Sequence, residues 1–264
     1  MKQLLSIEWI KLKKLSALHI ITLIYLLMVP AWMFAMNLWF GQLNKAIPLF
    51  PNTKTLWSFP TVWRFVTYSA SWFTFLYCIV VVIITTNEFS NRTMRQHIID
   101  GLTKGKVIAA KFLVILLLAI FVTLVVFLTG FFFGVSQSES IDLYSNIHYV
   151  FLFFLQTLCY FGLAFFISIF IKRPALSILI YMGIQFIEFI IGFFLPQWIY
   201  AYMPMNNIAK LTPLPFFNGL VKKMEEDKGE SLIILETWQI ITVAGISMLI
   251  FYLLAYRRLK RKDL

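Results

Sequence analysis

Charge is scarce in this chain. Asp, Glu, Lys and Arg make up 13% of its 264 residues, against 60% that are hydrophobic, and no polar block is long enough to form a soluble domain. With a mean hydropathy of +0.82, the composition lies outside that of soluble globular proteins. Acids are scarcer still, 12 against 23 Lys and Arg, for a formal net charge of +11. That excess does not read as nucleic-acid binding, because the basic residues gather beside the ends of apolar runs. The two cysteines, Cys78 and Cys159, both fall inside such runs. They argue against a disulfide framework and read as buried small hydrophobes. The first apolar run is too long for a signal peptide and has no small-residue cleavage site.

Chemistry is equally thin. There is no GxxxxGK[ST] phosphate loop and no HExxH helix, so neither ATP hydrolysis nor zinc proteolysis has a sequence basis. His19, His97 and His148 are isolated and lack metal-ligand spacing. Glu225 and Glu226 are adjacent, but in a charged tip that suits water exposure. The expectation is a chain that is no enzyme itself, with no catalytic, cofactor-binding or metal residues.

What is present is a series of long apolar runs, several exceeding the roughly 18 residues that signal a membrane helix. They place spans at about 17–40, 62–86, 107–134, 147–171, 175–195 and 237–256, within one transmembrane domain covering 1–264. The fold class is therefore all-α integral membrane with six helices. Pro30 should kink the first span, with neighbouring helices satisfying the freed carbonyl. Gly162, Ala164 and Ser168 in the fourth allow close helix contact. Before the first span, Leu4, Leu5, Trp9, Leu12 and Leu15 share one face of a short helix, with Glu8 interrupting it. That pattern suits an N-terminal interfacial helix. An even span count puts both termini on one side, and that side carries most of the Lys and Arg. By the positive-inside rule it is cytoplasmic.

The longest charged interval on that side is 87–111, NEFSNRTMRQHIIDGLTKGKVIAAK. Glu88 and Arg92 are spaced to pair along a helix, and Met94, Ile98 and Leu102 would give it an apolar stripe. Gly101 and Gly105 then interrupt it. The order Glu88, Arg92-Thr93-Met94-Arg95, Gly101, Lys111 resembles the signature of type-2 ABC (ABC-2 type) transporter permeases, the membrane subunits of ABC exporters. The resemblance implies that 88–104 carries a cytoplasmic coupling helix between spans two and three, with Glu88, Arg92, Thr93, Met94, Arg95, Ile98, Gly101 and Leu102 facing a partner ATPase. It implies two copies of a separate ABC ATPase, which would hold ATP and magnesium. It also implies a second permease, either a second copy or a related subunit, in the lipid of a bacterial cytoplasmic membrane. The alternative is a non-transport scaffold or immunity protein that binds its target directly.

In span five Ser177, Tyr181, Gln185, Glu188 and Gly192 recur at helical spacing. An acid at that depth is expensive and should face protein or a wet cavity. The stripe reads as a candidate substrate path or dimer interface, or else as an interhelical hydrogen bond made by Glu188. Between spans five and six, 196–236 is too broken by proline for a long helix. The resemblance implies short re-entrant helices there, for which 211–220 is apolar and of suitable length.

Overall fold

The computed structural model describes residues 2–46, 56–90, 103–138, 142–213 and 235–261. All regular structure among them is helical: α1 (Lys2–Lys14), α2 (Ser16–Ala46), α3 (Thr61–Ser71), α4 (Thr74–Ser90), α5 (Lys104–Gln137), α6 (His148–Ile171), α7 (Pro174–Gly192), α8 (Gln197–Tyr200), α9 (Pro204–Ala209) and α10 (Thr237–Arg261). Five helices, α2, α5, α6, α7 and α10, are long and apolar enough to cross a membrane, and α3 with α4 makes a sixth crossing if the pair is one span.

That pair is bent by 46°, with neither proline nor glycine at the break. Hydroxyls cause it. Ser71 Oγ donates to the Tyr68 carbonyl at 2.7 Å and Thr74 Oγ1 to that of Ala70 at 3.3 Å. The backbone closes tighter turns there, Phe73 N to Ala70 O and Leu76 N to Phe73 O. Side chains that capture carbonyls let a helix turn within an apolar medium without leaving polar groups bare. Pro30, by contrast, lies inside α2 without ending it.

The most buried span is α6, which packs against α3, α4, α5, α7 and α10. Its small residues do what their size suggests. Ala164 and Ser168 are fully buried, and a Cβ at Gly162 would stand 3.0 Å from the Tyr252 ring of α10. At the opposite end of the bundle from α1, Trp63 of α3 stacks on Phe127 of α5 at 5.3 Å and 11°. There a Cβ on Gly134 would press into the buried Phe59 ring. Gly134→Ala is expected to destabilise the protein by about 1–3 kcal/mol through overpacking, despite alanine's better helix propensity. Gly41→Ala, with nothing within 4 Å, is the control. Thermal unfolding in detergent should separate the two.

Contacts place both chain ends at one end of the bundle. Lys11 of α1 reaches Glu88 at the end of α4, and the neighbouring Phe89 lies under Lys172, whose Nζ is 4.8 Å from the ring centroid. On α6 the Phe170 ring, just before Lys172, meets Arg258 near the end of α10, at 4.9 Å. This is the basic end of the molecule.

Candidate functional site

At the basic end four charged side chains from three helices close a ring. Glu8 and Lys11 come from α1, Glu88 from the last turn of α4 and Lys111 from the second turn of α5. Lys111 Nζ lies 2.6 Å from Glu8 and 2.8 Å from Glu88, and Lys11 Nζ lies 2.9 Å from Glu88 and 3.3 Å from Glu8. Each ammonium touches both carboxylates. Glu8, Glu88 and Lys111 are buried, while Lys11 stays about one-third exposed. Burial alone would lower the Lys11 pKa. The carboxylates of Glu88 and Glu8 outweigh that and raise it, so Lys11 keeps its charge throughout the physiological range.

The local sequence explains why these four groups meet. The Glu8 carboxylate and Leu12, one turn apart, both turn into the bundle, whereas Trp9 is 58% exposed. Glu8 is the buried anchor of α1, and Trp9 lies off the side packed on the bundle. A lone acid among lysines on such a helix needs a buried cation, and Lys111 supplies it. A small cavity of about 250 Å³ borders the ring, lined also by Lys14, Ile84 and Asn87.

The ring brackets the stretch that the sequence singled out. Glu88 stands at its start and Lys111 at its end. Arg92, Thr93, Met94, Arg95, Ile98, Gly101 and Leu102 lie outside the described residues.

The span-five stripe is turned toward this chain's own helices. Ser177 Oγ donates to the Arg173 carbonyl at 2.8 Å. Tyr181 OH, buried, donates to Cys78 Sγ at 3.1 Å and accepts from Gln185 Nε2 at 3.0 Å. Glu188 Oε1 accepts from the backbone N–H of Asn206 at 2.7 Å, and Gly192 sits under the Tyr200 ring. The other face of α7, including Leu179, Met182, Phe186 and Phe189, is exposed.

Between α7 and α10 the chain makes α8 and α9, both shorter than two turns, before residues 214–234, outside the described set. Of the expected 211–220 segment only the first three residues are described. Glu188 holds the start of α9. Gln156 of α6 holds its end, donating from Nε2 to the Ile208 carbonyl at 3.1 Å and accepting from Thr212 Oγ1 at 3.0 Å. Sequence reading missed Gln156, Asn206 and Thr212. A polar amide in the middle of an apolar span was the one signal available.

No cluster of His, Cys, Asp and Glu suited to a metal occurs among the described residues. The arrangement ties α1, α4 and α5 together at the basic end.

No curated protein matches the chain. The family described as ABC-2 family transporter protein does, over residues 3–264, a match that takes in α1, the charge ring and every span. The chain is a multi-pass membrane protein of the ABC-2 transporter family.

Proposed function

We propose that this chain is the permease subunit of an ATP-driven exporter, and that the charge ring is the joint through which a separate ABC ATPase moves it. The observation that carries this reading is that Glu88 and Lys111, the two flanks of 91–102, are both bonded to Glu8 of α1 or to its neighbour Lys11. A push on that stretch then reaches α4, α5 and α1 together, a rigid-body route to alternating access. ATP and magnesium belong to the ATPase, of which two copies serve two permeases. The membrane is the bacterial cytoplasmic one, with the basic end inside and α1 lying along its surface.

The inward stripe on α7 supports a bracing role for Tyr181, Gln185 and Glu188 at the wall of the substrate path. The exposed apolar face of the same helix suits a second permease.

The stripe Met94, Ile98 and Leu102 supplies the apolar contact to the ATPase. A fully buried side chain of this kind is worth roughly 1.5–3 kcal/mol, whereas an exposed ion pair gives about 0.2–1 kcal/mol. Ile98→Asp should therefore weaken capture of the ATPase about tenfold or more, and abolish export, while membrane insertion stays normal. Wild-type co-purification and wild-type transport by Ile98→Asp would show an ordinary loop.

A further inference from the structure

A second site lies one helix face away from the charge ring. The elbow between α1 and α2 stands off from α4 and α5, leaving an apolar groove of about 530 Å³. Its mouth carries Trp9, Lys13 and His19, its floor Tyr77, and its far end Leu26 and Phe121. The Tyr77 hydroxyl is already used, donating to Thr22 Oγ1 at 3.0 Å, so the floor offers no free donor deep in the groove.

Three observations specify what fits. The first is depth. Along α5 the groove runs from Val114 to Phe121, about 10 Å at 1.5 Å per residue. That is about a third of a hydrocarbon core about 30 Å thick, so the groove stays within one leaflet. The second is charge. None of the lining residues is acidic, and Lys13 and His19 are both exposed at the mouth. The nearby carboxylates Glu8 and Glu88 are each bonded to lysines, so the region does not repel an anion. The third is the rim itself. Lys13 Nζ lies 5.6 Å from the centroid of the Trp9 ring, and Trp9 is mostly exposed, an amphipathic pair of the kind found at headgroup level. His19 Nδ1 faces the Leu15 carbonyl at 3.0 Å, which leaves Nε2 as its second polar atom.

We propose that this groove binds one acidic phospholipid of the leaflet at the basic end, with an acyl chain lying between α2 and α5 and its phosphate at Lys13 and His19. The lipid fills the gap beside the elbow and so ties α1 to α2 and α5 on the side that the charge ring does not reach. The site rests on the membrane reading of the family but not on the ATPase.

The test uses the full-length permease alone, in nanodiscs of equal phosphatidylglycerol and phosphatidylcholine, with retained lipid read by native mass spectrometry. The wild-type chain should retain phosphatidylglycerol in preference. Each cation near an acidic surface contributes about a fivefold attraction, so Lys13→Gln should cut the enrichment roughly fivefold and Lys13→Gln with His19→Gln should reduce it further. Both side chains are exposed, so folding is not at issue. Leu117→Trp, filling the groove from α5, should lower retention of both lipids. Equal retention of the two lipids by the wild type would overturn the proposal, as would an enrichment that survives the double substitution. Efficient disulfide cross-linking of two copies through Leu23→Cys would also overturn it, since a protein would then occupy the groove. None of these results bears on ATPase capture, so the transporter reading stands or falls separately.

Discussion

Lys111→Met is expected to loosen the basic end more than any other single change at the ring. Removing this ammonium takes from the buried carboxylates of Glu8 and Glu88 a buried cation that they share; the partly exposed Lys11 still touches both. Stripping one partner from a buried ion pair costs about 3–5 kcal/mol, because an uncompensated charge stays behind. Methionine keeps most of the side-chain volume, so the loss reports charge rather than packing. Glu8→Gln should cost less, since Lys111 still has Glu88 at 2.8 Å. The double substitution should cost less than the sum of the two, the sign of a shared interaction. Thermal unfolding in detergent measures stability. Thiol labelling of Leu12→Cys, at a position buried in the intact protein, reports whether α1 lifts away. An additive double substitution with Leu12→Cys still protected would show that the ring does not hold α1.

The apolar runs announced the spans because length and hydropathy suffice for a membrane helix. They did not announce the break in α3–α4. A bend between Ser71 and Thr74 leaves no gap in hydropathy, unlike Pro30, which is conspicuous in the sequence and does not interrupt its helix. The ring was half legible. Glu88 and Lys111 stand in the pattern shared with the family, but local spacing offers Glu88 only Arg92, four residues on. Its described partners come from α1 and α5, and only folding brings them near. Glu8 looked like a flaw in an apolar face, since a helical wheel does not reveal which side of a short helix meets the bundle. Two opposite charges on different helices can look like defects on each and still complete one buried cluster. At Glu188 the sequence left two uses open. Its partner is a backbone amide of a six-residue helix, too short to leave a periodic trace.

That helix gives the second large effect. Glu188→Leu should free α9, because a helix of one and a half turns cannot sustain itself. Isolated helices shorter than about 12–15 residues are marginal even with favourable composition, and each end leaves four backbone groups without partners. Here the spans provide a partner at each end. The Glu188 carboxylate takes the amide of Asn206 at the start, and Gln156 takes the Ile208 carbonyl at the end. A hydrogen bond to a charged group contributes about 1.5–3 kcal/mol, and the amide left bare adds to the loss. At 1.4 kcal/mol per factor of ten, hydrogen exchange across 201–212 should then accelerate roughly tenfold to more than a hundredfold. Glu188→Gln retains an acceptor and should fall between Glu188→Leu and the wild type. Gln156→Leu should speed exchange over the same residues from the opposite end, whereas Phe189→Leu, on the exposed face, should change it little. If Glu188 braces the wall of the substrate path, as proposed, transport should decline in the same order as protection is lost. Unchanged exchange in both Glu188→Leu and Gln156→Leu would mean that apolar packing against α6 and α10, not the two polar contacts, holds the segment.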